Sequence, residues 1–358
     1  MFMKRCLQLA SNGRATCSPN PMVGAVIVHQ GKIIGEGWHR KAGEPHAEPL
    51  AVKSVRNHDM LKESTMYVSL EPCSHYGKTP PCVDLIIKKQ IPRVVIGSLD
   101  PFPLVSGRGA AKLRAAGVEV VLGVEEASCL ELNRAFFTFH TKKRPFIILK
   151  WAQTADGFLD ILRKPGDGKD SLKISTSFSQ ILTHKLRTEC DAILVGTNTA
   201  ILDNPSLTPR AWTGKNPVRA VIDRDMILPL STVLLNNKEE TLIFTDAKTK
   251  KQDKNSWVHL DFNKSIIEQV LCELYLINIQ TLLVEGGTLM HESFLKLGMW
   301  DEIRIETSNQ YIQNGTSIPD LSGLDLCIKD SYVLDAGKNV RNIQIIRPKQ
   351  TMQSPVPH

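Results

Sequence analysis

The chain has no apolar run approaching the roughly 20 residues that span a bilayer. Its first ten residues are interrupted by Lys4, Arg5 and Gln8 before any secretory core could form. A soluble, cytoplasmic protein is the expectation that follows. Eight cysteines in 358 residues are too sparse and too unevenly placed for a disulfide scaffold, which leaves metal binding or plain burial to account for them. Aromatic residues make up 6%, and no block of five or more basic residues occurs, although Lys248, Lys250, Lys251 and Lys254 cluster loosely. The net charge of +7 therefore suits a phosphorylated small molecule as well as nucleic acid. No segment repeats at a fixed period, which argues against a solenoid.

What is present exceeds one hydrophobic core, so two domains of unequal size are expected. Up to residue 144 short β-rich runs alternate with helical ones, the pattern of an α/β layer fold. Residues 23–29 and 32–38 read as a hairpin turning at Gln30-Gly31, and 66–69, 94–97 and 118–121 as further strands. Residues 130–143 read as one helix ending in Lys142-Lys143-Arg144, after which Pro145 opens a new apolar strand and a second domain. Buried strands are expected there at 192–195, 218–222, 242–244 and 282–284. The last residues, 349–358, hold two prolines and no periodicity and are expected to form a disordered tail.

The chemistry concentrates in the first half. His46-Ala47-Glu48 precedes Glu71-Pro72-Cys73 and Pro81-Cys82, matching the His-x-Glu then Pro-Cys logic of zinc deaminases, with the cysteines farther apart than the usual Cys-x-x-Cys. One imidazole and two thiolates give Zn²⁺ three protein ligands and leave a fourth tetrahedral position for water, whose pKa the metal lowers to roughly 7. Glu48, two residues after the histidine, is the candidate proton carrier. Each cysteine follows a proline, which suits a helix or turn start where backbone N–H groups stabilise a thiolate. Cys6, Cys17, Cys129, Cys190, Cys272 and Cys327 read as ordinary thiols.

Together, Ser18-Pro19-Asn20-Pro21-Met22-Val23-Gly24, Gly43-Glu44-Pro45-His46-Ala47-Glu48 and Leu70-Glu71-Pro72-Cys73-Ser74-His75-Tyr76-Gly77-Lys78-Thr79-Pro80-Pro81-Cys82 resemble the bifunctional riboflavin-biosynthesis deaminase–reductase family. Gly107-Arg108-Gly109, residues 150–157 and 193–204, and Val284-Glu285-Gly286-Gly287 follow in the family's order. The resemblance implies a cytidine-deaminase-like α/β/α domain over 1–144 and a dihydrofolate-reductase-like α/β domain over 145–348. It implies removal of the 2-amino group of a diaminopyrimidinone ribose phosphate, then NADPH reduction of its ribose at C1′ to a ribityl chain. In the deaminase it assigns Asn20 to the ring, His75 and Lys78 to the phosphate or ribose, and Asp100 to a substrate turn. It also implies a homo-oligomer.

The second half carries no G-x-G-x-x-G after a strand, so a Rossmann dinucleotide fold is not supported. Gly286-Gly287 instead follows an apolar strand and precedes a helix candidate at 288–297, an N-terminus able to accept phosphate. The resemblance assigns Ala152, Thr199, Asp203, Thr245, Gly287, Thr288, Leu289, Met290, His291, Glu292 and Ser293 to the cofactor. To the reductase substrate it assigns Ser171, Arg187, Leu207, Arg210 and Glu285, although Leu207 also reads as packing. Lys150, at a strand end, is the candidate cation for the opening sugar. Two positions depart from the family's usual pattern: Phe102 stands where an asparagine is usual, and Lys173 where a tryptophan meets cofactor. Lys173 could instead meet a cofactor phosphate. Two rivals are a deaminase whose second domain binds RNA, and one whose reductase-like domain serves assembly only.

Overall fold

A computed structural model describes residues 1–76, 80–101, 106–248, 250–334 and 340–349. The chain divides into two compact units, Met1–Arg144 and Pro145–His358.

The first unit runs α1 (Phe2–Ser11), β1 (Gly24–His29), β2 (Lys32–Trp38), α2 (Ala47–Ser54), β3 (Thr65–Leu70), α3 (Cys82–Lys88), β4 (Arg93–Ser98), α4 (Arg108–Ala115), β5 (Glu119–Val121), α5 (Glu126–Leu132) and α6 (Arg134–Lys142). Its sheet has the order β2-β1-β3-β4-β5, with β1 antiparallel to both neighbours and β3, β4 and β5 parallel. The expected hairpin forms, pairing His29 with Lys32 across Gln30 and Gly31, both at positive φ, as a two-residue primed turn requires.

Strand alternation then builds two cores. Ala25 and Ile27 of β1 face Ala47, Ala51, Val83 and Leu113 on one side. Val26 and Val28 face Met3, Cys6 and Cys129 on the other. Helices therefore cover both faces, the α/β/α arrangement expected. Glycines let the helices approach: a Cβ on Gly37 would lie 2.4 Å from Ala51 N, so α2 rests directly on β2 with its N-terminus beside the candidate metal ligands.

The helix expected over 130–143 is instead two, α5 and α6, broken at Asn133. The break has a tertiary cause. Asn133 Oδ1 accepts from Met22 N–H at 2.8 Å and its Nδ2 donates to Met22 O at 2.9 Å, holding a loop that lies 111 residues away in sequence.

The second unit comprises β6 (Phe146–Gln153), β7 (Phe158–Asp160), α7 (Ser177–Glu189), β8 (Ala192–Gly196), α8 (Thr197–Asp203), β9 (Val218–Ile222), β10 (Thr241–Thr245), β11 (Lys250–Gln252), β12 (Asn255–His259), α9 (Ile266–Leu276), β13 (Thr281–Val284), α10 (Thr288–Lys296), β14 (Glu302–Ser308), β15 (Thr316–Ser317), β16 (Leu326–Leu334) and β17 (Arg341–Pro348). Its main sheet runs β11-β12-β10-β9-β8-β13-β6-β14-β17-β16. The seven strands from β12 to β14 are parallel; β11 at one edge is antiparallel, as are β17 and the edge strand β16 at the other side. The central strands are nearly continuous apolar runs, as a sheet covered on both faces demands. Of the expected tail, Lys349 is described and pairs with Asp325 at 2.8 Å; 350–358 lie outside the described residues.

Candidate functional sites

Three chain segments converge at the N-terminus of α2. His46 is the residue before that helix, Cys73 follows β3, and Cys82 opens α3 after Pro81. His46 Nδ1 lies 3.6 Å from Cys73 Sγ and 3.4 Å from Cys82 Sγ, and all three candidate ligand atoms fall within 4.8 Å of one another. The Cys82 N–H donates to Cys73 Sγ at 3.3 Å. Hydrogen bonding from the Cys82 thiol, helped by the imidazole, pulls the Cys73 thiol far below the usual range despite its burial. A nitrogen and two polarisable sulfurs at one point fit tetrahedral Zn²⁺ with one position left open. Glu48 is buried beside them, and burial, reinforced by Cys73, raises its carboxyl to about 7. A carboxyl in that range can both accept and return a proton.

Around this centre lie residues the sequence did not single out. His39 is buried at the end of β2, its ring edge-on to His46 at 5.5 Å. Its Nδ1–H donates to Pro45 O at 3.1 Å, so Nε2 is the acceptor for Asn20 Nδ2 at 3.0 Å. The bond orients the Asn20 amide, and Asn133 secures the same loop at Met22. Glu71 accepts from the N–H groups of Asp100, Gly107 and Ala110 at 3.2, 2.9 and 3.0 Å, tying the end of β4 to the start of α4. Asp100 is thus brought to the site's edge. His75 is exposed on the long cysteine loop; Lys78 and Phe102 lie outside the described residues. A local pattern search sees His-x-Glu but not Asn133, because its partner is remote.

In the second unit the candidate residues gather at the carboxyl end of the parallel strands, where open α/β sheets bind ligands. Lys150 and Ala152 lie near the end of β6, Thr245 ends β10, Thr199 lies in α8 after β8, and Glu285 to Gly287 follow β13. Gly196 N–H donates to Gly286 O at 3.0 Å, binding the β8 and β13 ends together. A Cβ on Gly287 would lie 3.3 Å from Thr199 Oγ1, so the glycine turn leaves a shallow cradle ahead of α10. The first N–H groups of that helix have no intrahelical acceptors, which fits a dinucleotide diphosphate.

The comparisons with known proteins follow this geometry. Residues 1–98 match the family model for the cytidine and deoxycytidylate deaminase zinc-binding region, and 145–309 that for the RibD C-terminal domain. The chain is 44% identical over 325 residues to the riboflavin biosynthesis protein RibD of Aquifex aeolicus, covering 89% of each chain. The chain belongs to the RibD family. The RibD protein of Synechocystis is 39% identical over 305 residues, covering 83% of this chain and 80% of that one. A diaminohydroxyphosphoribosylaminopyrimidine deaminase/5-amino-6-(5-phosphoribosylamino)uracil reductase from Thermotoga maritima superposes with a TM-score of 0.85 at 36% identity, covering 97% of each chain. Acinetobacter baumannii RibD gives 0.84 at 28% identity and 98% of each. The protein is therefore a bifunctional enzyme of riboflavin biosynthesis, with a zinc-binding deaminase region and a reductase domain.

Several contacts expected from the RibD resemblance are differently placed. His291 is not at the rim: it is fully buried against Trp151, its Nε2 donating to Val284 O at 3.2 Å. Burial lowers its pKa to about 4, so it is a neutral core residue. Leu207 is buried and serves packing. Arg187 and Glu285 meet each other, with two hydrogen bonds of 3.0 and 2.6 Å, and Arg187 Nη1 donates to Thr208 O. The Arg187 fork is thus already occupied, whereas Arg210 is exposed beside a cavity of about 590 Å³ that it lines with Ala211, Trp212 and Thr213. Helical periodicity also divides the residues of α10. Thr288 donates to Ser317 O, Leu289 is exposed, Met290 packs inward, and Glu292 and Ser293 belong to the second turn. Thr245 Oγ donates to Arg224 O, and Ser171 and Lys173 are exposed on the segment before α7. Among the described residues no helix is long and apolar enough to cross a membrane.

Proposed function

We propose that the first unit deaminates 2,5-diamino-6-(5-phosphoribosylamino)pyrimidin-4(3H)-one to the 5-aminouracil, and that the second reduces the ribose of that product at C1′ with NADPH to the ribityl chain. The convergence of His46, Cys73 and Cys82 on one point beside buried Glu48 carries the first half of this reading. Bound zinc supplies the Lewis acidity that makes water a nucleophile at neutral pH. Glu48 would take a proton from the attacking water and pass it to the ring nitrogen, then take the second proton from the hydroxyl now bonded to the ring carbon and give it to the amino group, which leaves as ammonia as the carbonyl forms. Asn20, oriented by His39, hydrogen-bonds the ring. His75, exposed on the lengthened cysteine loop, reaches the phosphorylated substituent, and Asp100 lies on the turn that Glu71 ties down.

In the second unit NADPH supplies the hydride, and the protein binds and orients. The cradle at Gly287, the first turn of α10 and Thr199 receive the cofactor, with Ala152 and Asp203 as further contacts, while Thr245 is fully buried and supports the end of β10 through its bond to Arg224 O. Arg210 is the preferred phosphate ligand because its guanidinium is exposed at the cavity, while the Arg187–Glu285 pair presents a fixed edge to the ribose. Lys150 stands close enough to this cluster to depress the pKa of His184 together with Arg187 and Arg210, after burial, a cationic setting suited to polarising the opening sugar.

The test is a coupled assay on the full chain with the diaminopyrimidinone ribose phosphate, following ammonia and then NADPH. Ammonia release is expected in wild type and to fall by about 100-fold or more in Glu48→Ala, followed by NADPH oxidation in wild type. Ammonia without NADPH oxidation would refute the reductase half. No ammonia from zinc-loaded protein would refute the substrate.

A further inference from the structure

A side-chain latch that no part of the catalytic reading uses lies between β7 and α8. Asp160, at the end of β7, accepts from Ile161 N–H at 2.9 Å and from Leu172 N–H at 2.7 Å through the same Oδ1. These bonds close the neck of a loop that contains Gly166 and Gly168 and leads directly to Ser171 and Lys173. The other oxygen, Oδ2, accepts from Arg163 Nε at 2.6 Å. The Arg163 side chain is only 5% exposed, and it continues across to α8, where Nη1 donates to Leu202 O at 3.2 Å and Nη2 to Asp203 Oδ1.

Asp203 is the last residue of α8, where the helix dipole disfavours a negative charge. Arg163 offsets that cost twice, by neutralising the carboxylate and by satisfying a terminal carbonyl. It engages Oδ1 and leaves the half-exposed carboxylate with Oδ2 to accept from a ligand hydroxyl.

We infer that Arg163 is a positioning residue of the reductase: it fastens the 160–173 loop to the end of α8 and so sets Asp203 for the cofactor. This rests on the reading that Asp203 meets NADPH. A loop with two glycines and no such tie would have to be ordered when ligand binds, and that ordering would subtract from affinity. Arg163 carries that order beforehand, so its loss falls on binding more than on the hydride step.

The experiment uses the full-length, zinc-loaded enzyme and compares wild type with Arg163→Ala, Arg163→Lys and Asp203→Ala. NADPH affinity is read by fluorescence titration, reductase kcat and KM by NADPH oxidation, and loop order by tryptic cleavage after Lys169. A thermal transition of the second unit close to that of wild type reports that each variant is folded. Arg163→Ala is expected to raise the NADPH Kd and KM about tenfold, to change kcat by less than about threefold, to speed cleavage in the loop and to leave ammonia release unchanged. Arg163→Lys is expected to recover part of the affinity, since it keeps the charge and loses the fork. If Asp203→Ala weakens NADPH binding and Arg163→Ala does not, the latch is refuted while the Asp203 reading stands. If Asp203→Ala itself binds NADPH like wild type, the Asp203 reading falls and the latch with it.

Discussion

At the scale of single residues, the same side chain can carry chemistry or merely occupy volume, and burial with its partners decides which. Glu48 and His291 are both fully buried titratable groups. Glu48 lies against three candidate metal ligands, and burial with Cys73 raises it to about 7; His291 lies against Trp151 and a carbonyl, and burial lowers it to about 4 from 6.5. Between those two values the unfolded chain binds a proton that folded His291 refuses. Its contribution to stability is therefore complete above pH 6.5 and is lost as pH falls toward 4, by up to ~3 kcal/mol. In His291→Gln the fall in unfolding free energy of the second unit between pH 7 and 4.5 is expected to be shallower, measured by urea titration at each pH. An unchanged slope would mean that the imidazole is not held neutral by the core. The resemblance assigns a cofactor contact to this position, and the inward side of the helical turn makes it a core residue instead.

At the scale of elements, the loop before β1 is held by Asn133, between α5 and α6, in addition to its own turn, in which Asn20 N–H donates to Cys17 O. Asn133 interrupts what would be one long helix and spends its amide on both polar groups of Met22. Replacing it with alanine removes two hydrogen bonds and leaves part-buried backbone groups of Met22 unpaired, a cost of about 1 kcal/mol or more. Asn133→Ala is expected to lower the thermal midpoint of the first unit and to raise the KM for ammonia release, because Asn20 is two residues from the released Met22. A variant with a lowered midpoint and an unaltered KM would show that the loop keeps its place without the clamp. The hairpin at Gln30-Gly31 was legible in sequence because turn and strand signals are local. The helix break was not, because helix periodicity runs unbroken through residues 130–143 and the competing bonds come from the other end of the unit.

At the scale of the molecule, one chain carries two sites with different requirements. The His46, Cys73 and Cys82 cluster lies within the first unit, and the rim at β6, β8 and β13 within the second. Chelation of zinc is therefore expected to abolish ammonia release while NADPH oxidation continues when the aminouracil ribose phosphate is supplied directly, and added Zn²⁺ should restore the first activity. Parallel loss of both activities on chelation, in protein that keeps its secondary structure, would show that the reductase also depends on the metal.

The sequence by itself determined the α/β class of both halves, and it set His46, Cys73, Cys82 and Glu48 apart as candidates for the metal and the proton. These signals are local: strand alternation, and ligand types in a fixed order around short motifs. Only the tertiary structure decided how the remaining polar residues are paired and buried. The pairing of Arg187 with Glu285, the burial of His291, the clamp at Asn133 and the bridge from Asp160 through Arg163 to Asp203 each join segments that sequence spacing does not relate. Hydrogen bonds and charge pairs form by proximity in space, and that proximity exists only after the sheets have assembled and their helices have packed.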